Sequence, residues 1–287
     1  MTGSPLFGVS SSMLLQRPLR EAVNFALRAG LNGFEVWADH PHAHPDETAS
    51  GLRAALRRDL SNFARVSVHG PLGNASLASI NPGIWRESVR QYLGAIELAH
   101  DIGAAVLVVH PGDLRDPRFF ADFARLAEEA LGRLARRAEE LGVMLAVENC
   151  GPYHAGVDRS AADLRSLITR TGSSNVKACL DVGHAAVNRN AAELVELLGR
   201  DIVHLHVHDN HGQRDEHLPV GRGTIDFEAF LPILADFDGL AIAEVVWDEA
   251  TAFETPEAML RAAQAGWDAV RARSLGGRGV ASNDRPT

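Results

Sequence analysis

Ile202-Val203-His204-Leu205-His206-Val207-His208-Asp209 is a short β-branched run that ends in imidazoles and a carboxylate. The loop behind it runs Asn210-His211-Gly212-Gln213-Arg214-Asp215-Glu216-His217-Leu218-Pro219-Val220-Gly221-Arg222-Gly223. Residues 206–223 therefore hold four of the thirteen histidines of the chain. Imidazoles and carboxylates packed this densely beside a buried strand repel and desolvate one another unless a cation lies between them. The run predicts one or more divalent metal ions.

Outward from this run the same pattern repeats. Apolar, β-rich segments lie at Leu6–Ser10, Gly33–Trp37, Arg65–His69, Ala105–His110, Met144–Glu148, Val176–Asp181, Val203–His208 and Leu240–Val246. Amphipathic stretches follow them, as at Pro18–Ala29, Trp85–Ile102, Phe119–Leu141 and Pro256–Ala272, with Leu, Ala and Val at three- and four-residue steps. Gly30, Gly103, Gly142 and Gly172 stand where helices should stop. Eight β-α units of about 35 residues each in one domain's length predict a (β/α)8 TIM barrel. An open doubly wound sheet is the alternative, but Gly8-Val9-Ser10-Ser11-Ser12-Met13 carries no G-x-G-x-x-G phosphate loop after the first strand. The barrel is expected over residues 1–273, with a frayed Gly/Ser/Pro-rich tail over 274–287.

Composition narrows the class. The chain has 287 residues, 46% hydrophobic and 23% charged, enough for a large core. No apolar run approaches the roughly 18–20 residues of a membrane span, so no membrane partner is expected. The first residues show no basic segment followed by an apolar one, as a secretory signal would. Cys150 and Cys179 read as buried thiols of a reducing cytoplasm. A net charge of −9 disfavours non-specific nucleic-acid binding, though not a local basic groove.

In a barrel of this kind the chemistry lies at the carboxyl ends of the strands. Six successive strands end in a possible ligand: His69, His110, Glu148, Asp181, the His206–Asp209 run and Glu244. One such residue is usually a cap or turn former. Six that converge on one mouth demand a cation, because unpaired carboxylates there cost several kcal/mol. Asp181 and His184 are three apart across a strand-to-loop turn. Asp215 and His217 are two apart, so an extended segment points both the same way. This nitrogen and oxygen set suits Zn2+, Mn2+, Fe2+ or Co2+, with zinc the first expectation and one to three ions per chain.

These residues sit in motifs that resemble the xylose isomerase-like barrels, which include endonuclease IV and many sugar isomerases and epimerases. The motifs are Val68-His69-Gly70-Pro71, Val109-His110-Pro111-Gly112, Val147-Glu148-Asn149, Leu180-Asp181-Val182-Gly183-His184, His206-Val207-His208-Asp209, Asp215-Glu216-His217 with the following Gly221-Arg222-Gly223, and Ala243-Glu244. The resemblance spans about residues 6–270. It implies nine ligands for three metals: His69, His110, Glu148, Asp181, His184, His206, Asp215, His217 and Glu244. A one-metal epimerase needs only Glu148, Asp181, His206 and Glu244. The loops that touch DNA in endonuclease IV differ here, as Gly70-Pro71-Leu72-Gly73-Asn74 and Ala38–Pro45.

Three functions stay open at this level. In the first, clustered metals hydrolyse a phosphoester, in abasic-site DNA or a smaller ester, with Glu148 bridging two ions. In the second, Glu148 and Glu244 act as acid and base in isomerising or epimerising a sugar or sugar phosphate. The third is a non-catalytic binding barrel. Arg222, Trp37, His208 and Asn149 are the candidate substrate contacts, with Asn149 also able to orient Glu148. Glu35 shares a strand face with Trp37 and reads as pocket lining or as packing at the barrel rim. His204 reads as a deeper, hydrogen-bonded barrel residue. The His40, His42 and His44 loop reads as a solvated loop or lid.

Overall fold

The computed structural model describes residues 6–114, 116–151, 160–247 and 252–276. Its strands are β1 (Leu6–Ser10), β2 (Gly33–Trp37), β3 (Arg65–His69), β4 (Val106–Val109), β5 (Met144–Glu148), β6 (Val176–Asp181), β7 (Ile202–Val207) and β8 (Leu240–Ala243). All neighbours pair in parallel, and β1 pairs with β8 to close the barrel. The helices are α1 (Leu19–Arg28), α2 (Ser50–Leu60), α3 (Pro82–Ile102), α4 (Phe120–Leu141), α5 (Ala161–Arg170), α6 (Val182–Asn188), α7 (Ala191–Leu198), α8 (Leu231–Leu234) and α9 (Pro256–Gly276).

Local chemistry sets the helix ends. The Asn81 side chain accepts from the Gly83 and Ile84 amides to start α3, with Pro82 in the first turn, where its missing N–H costs nothing. Gly103 ends the same helix at φ 82°, a left-handed conformation that costs glycine little. Helix α9 runs through Ser274 to Gly276, so the expected boundary at 273 falls inside a helix. The remaining tail lies outside the described residues.

Strand alternation divides the side chains into two sets. Val9, Phe34, Val36, Val66, Val68, Leu107, Val109, Leu145, Val147, Leu180, Leu205 and Val207 join the large core with the helices. The opposite set faces the barrel axis, where Val108, Ala146 and Cys179 form a small apolar plug. Beside that plug the axis is polar: Glu35, Ser67, His204 and His206 are all buried. Gly8 and Gly33 let β1 and β2 come together, since a Cβ on Gly8 would lie 2.5 Å from the Gly33 backbone.

Candidate metal centre

The mouth of the barrel gathers nitrogen and oxygen donors into three adjoining sets. In the first, His110 Nε2 lies 2.9 Å from Glu148 Oε2 and 3.2 Å from His69 Nε2. His69 Nδ1 is 2.9 Å from the Gly70 carbonyl. A carbonyl only accepts, so Nδ1 carries the proton, and in the neutral ring Nε2 presents a bare lone pair. Burial, with His110 beside it, lowers the His69 pKa and keeps that ring neutral.

The second set centres on His206. Its Nε2 is 3.2 Å from Glu35 Oε1, which fixes the proton on that nitrogen. Its Nδ1 then faces Glu148 Oε1 at 3.1 Å and Glu244 Oε2 at 3.4 Å. His206 Nδ1 and Glu148 Oε2 are both buried, and their close contacts to these neighbours are not aligned as good hydrogen bonds. Burial pulls the His206 ring down, but the surrounding charges, Glu148, Glu244 and Glu35 among them, raise its pKa well above the ordinary range, so a proton or a metal ion must stand between Nδ1 and the two carboxylates.

The third set closes over Asp215, whose Oδ2 is 3.1 Å from His184 Nε2 and 2.9 Å from His217 Nε2. Both rings commit Nδ1 to a backbone carbonyl: His184 to Asn149 at 2.8 Å, His217 to Glu244 at 2.7 Å. Each Nε2 therefore needs a proton or a metal. Burial pulls the His217 ring down, but its hydrogen bond to Asp215 and the charges of Glu244, Asp215 and Asp181 more than offset this, pushing it up to about 9. His184 is likewise raised well above the ordinary range, with burial opposed mainly by Asp181 and Asp215. Without metal, protons fill the places that cations would take. Imidazole and carboxylate donors oriented in this way fit divalent ions such as Zn2+, Mn2+, Fe2+ or Co2+.

The backbone explains how the loop residues arrive. Asp181 ends β6 and caps α6 at once, its Oδ1 accepting the His184 amide at 2.6 Å. This turn delivers the three-residue pair. Asp209 pairs with Leu218 through both backbone hydrogen bonds and folds the chain between them back over the mouth. Its carboxylate accepts the Asn210, Gly221 and Ile225 amides, which pins the loop. Extension is not what brings Asp215 and His217 together, as the spacing suggested. His217 adopts φ 48°, a left-handed conformation uncommon for a side chain of this size.

The nine strand-end and loop residues, His69, His110, Glu148, Asp181, His184, His206, Asp215, His217 and Glu244, thus meet in one region. The residues expected to contact substrate are placed differently. Asn149 is buried, and both ends of its amide hold the Asp181 backbone, at 2.8 and 3.0 Å, so it positions Asp181 rather than Glu148 or a substrate. His208 is fully buried rather than open to a substrate. It lies 3.1 Å from Asp181 Oδ2 and stacks under His217 with 4.3 Å between ring centres. Trp37 stacks on His69 at 4.6 Å. Arg222 is exposed, its guanidinium 5.7 Å from the Phe253 ring centre. His42 ties Ser11 to the Arg17 carbonyl, a structural use of one histidine in the 40–44 loop. Glu35, read from sequence as pocket or rim packing, is the carboxylate behind His206 and His204. Its signal was a carboxylate on the inward face of β2, level with Ser67. Asp209 and Asn210 were also missed as organisers, although Asp-Asn-His-Gly is turn-forming sequence.

Residues 23–269 match the family described as the xylose isomerase-like TIM barrel. The chain belongs to that family. Among its relatives, the fructoselysine 3-epimerase of Shigella flexneri is 27% identical over 239 residues, covering 80% of this chain and 86% of the relative. A probable endonuclease 4 of Solibacter usitatus is 30% identical over 238 residues, covering 73% and 80%. The protein TTHB071 of Thermus thermophilus, solved after soaking with ZnCl2, superposes with a TM-score of 0.70 at 27% identity, covering 95% of this chain and 98% of that one. Membership and these likenesses make this xylose isomerase-like barrel an enzyme. None of its described helices is long and apolar enough to cross a membrane. Cys150 and Cys179 are buried, and burial raises the Cys179 pKa.

Proposed function

We propose that this barrel is a divalent-metal-dependent phosphoester hydrolase with a site for three ions. The observation that carries the proposal is Asp215 Oδ2, approached by the Nε2 atoms of both His184 and His217 while their Nδ1 atoms are held by carbonyls. In a mononuclear site that third set would be left to bind substrate hydroxyls, a use that does not call for three donors closing on one point. Bound divalent ions would neutralise phosphate oxygens, acidify a water and stabilise the leaving oxygen. Glu148, with one oxygen toward His110 and the other toward His206, would link two of the positions. His69 and His110 would hold one ion, Asp181, His206 and Glu244 another, and His184, Asp215 and His217 the last. The likeness to a probable endonuclease 4 supports the reading.

A second reading has its own observation. Glu148 and Glu244 both face His206 Nδ1, at 3.1 and 3.4 Å, so two carboxylates flank one position. That arrangement suits acid–base epimerisation of a ketose, and a fructoselysine 3-epimerase is among the relatives. Metal analysis of protein purified without chelator, with parallel assays on abasic-site DNA, small phosphodiesters and a ketose panel, separates the two. About three ions with phosphoester cleavage support the hydrolase. A single ion with epimerisation and no cleavage overturns it.

A further inference from the structure

We infer that the substrate carries an uncharged, ring-sized group, which occupies an apolar cavity beside the metal centre. The cavity, about 540 Å³, lies between the loops that follow β3 and β4. Its apolar wall includes Leu72, Ile80, Ile84, Leu114, Phe119 and Phe123. The volume falls within the range of small-molecule sites, roughly 300–1,000 Å³.

Two observations make this a ligand site rather than a gap between loops. First, His110 lines it, and His110 Nε2 lies 2.9 Å from Glu148 Oε2. The cavity therefore opens on the donor set itself. Second, nine large hydrophobic side chains are exposed among the described residues, and four of them, Leu72, Ile80, Ile84 and Phe119, line this one cavity. Such a concentration is costly in water unless something apolar covers it.

The cavity is also preformed. Gly112 sits at φ 109° against Ser76, where a Cβ would come 2.3 Å from Ser76 Oγ, so the two loops are in direct contact. Ser88 holds the Ser76 amide at 2.8 Å, and Tyr92 OH receives the His110 amide at 3.2 Å. The charged members of the described lining are Asp113 and Asp116, whose carboxylates disfavour a phosphate or carboxylate there. The carboxylates turn away an anion and the apolar wall favours an uncharged ring, so the group that enters is an aryl or comparable ring attached to the part handled at the metal centre. That attachment rests on the hydrolase reading; the cavity and its occupant's chemistry do not.

The neutral naphthalene dye Prodan tests the cavity in the full-length protein. Its emission should shift to the blue and saturate at one site per chain. Ile80→Asp and Leu72→Asp, both at exposed positions, should each weaken it at least about 10-fold by loss of apolar contact. Leu197→Asp, exposed on α7, should leave it unchanged. In parallel, the preference for bis(4-nitrophenyl) phosphate over methyl 4-nitrophenyl phosphate should shrink by a similar factor in Ile80→Asp. No saturable Prodan site, or one indifferent to both aspartates, overturns the inference. So does a wild-type dimer that Ile80→Asp turns into a monomer in sedimentation, because a second copy then covers the patch. Prodan binding that behaves as expected beside absent phosphodiester cleavage supports the cavity and sinks the hydrolase reading alone.

Discussion

His184 Nε2 lies 3.1 Å from Asp215 Oδ2, with the Nδ1 of the same ring held by the Asn149 carbonyl. The ring cannot rotate to relieve the contact without losing that hydrogen bond. Asp215→Ala should therefore remove one ion and leave the others. Elemental analysis should find about three ions per chain in the wild type and about two in the variant. Equal metal content in the two proteins contradicts a third position.

Glu35 fixes the tautomer of His206 from behind, through contacts of 3.2 and 3.4 Å. Glu35→Gln keeps the shape but removes the charge that favours Nε2–H. Its metal affinity should fall about 10- to 100-fold, the usual effect of losing such a partner. Competition with a chromophoric chelator measures this directly. Unchanged affinity would show that the barrel wall alone orients His206.

Glu148 presents its two oxygens to different histidines, His110 and His206. Glu148→Gln should lower kcat by at least about 10²-fold, the scale for one preorganised electrostatic group. The fold should survive, because the amide fills the same volume. Circular dichroism and the rate on the best phosphodiester check the two halves of this expectation. A rate within a few-fold of wild type removes Glu148 from the centre of the mechanism.

Metal-free protein should lose stability in mildly alkaline solution. The His217 pKa is raised from 6.5 to about 9 in the fold. A group raised on folding contributes stability that is complete below its unfolded value and disappears as pH rises through the folded one. The melting temperature of the metal-free protein should thus fall between about pH 6.5 and 9. Zinc-loaded protein should not follow it down, because metal replaces the proton. Parallel melts at these pH values, with and without zinc, test the sign. A metal-free melting temperature that rises over the range contradicts a protonated His217.

Gly183 lies against the buried His208 ring, where a Cβ would come 1.9 Å from Cε1. His208 is stacked on His217 and bonded to Asp181, so it has no room to swing away. Gly183→Ala should cost about 1–3 kcal/mol, as overpacking does. Urea unfolding measures it, and a variant as stable as wild type shows that the ring can move.

Most of the barrel was legible because strand alternation and helical periodicity are local signals. Five of the eight strands, β1, β2, β3, β5 and β6, run between the expected residues, while the ends of β4, β7 and β8 differ by one to three. At the carboxyl ends the differences fall where ladder pairing stops and ligand residues begin; the starts of β4 and β7 differ by one residue at the opposite end. His110 and Glu244 follow their strands rather than belonging to them: the His110 amide turns to the Tyr92 hydroxyl, and Glu244 makes one last bond to the Val207 carbonyl as the ladder runs out.

The candidate site divides in the same way. Residue type and position at a strand end were enough to nominate His69, His110, Glu148, Asp181, His206 and Glu244. Orientation was beyond that reading. That Asn149 holds the Asp181 backbone, that His208 lies beneath His217, and that Glu35 stands behind His206 all depend on partners 27 to 171 residues away or on depth below the mouth.

By itself, the sequence determined the eightfold alternation and the kind of chemistry gathered at one end of it. Periodicity and donor type are properties of single residues and their near neighbours, and these were enough. Only the tertiary structure decided which nitrogen of each histidine faces the centre. A ring nitrogen is committed by the group behind it, and here those groups are a neighbouring carbonyl for His69, the Asn149 and Glu244 carbonyls for His184 and His217, and the Glu35 carboxylate for His206.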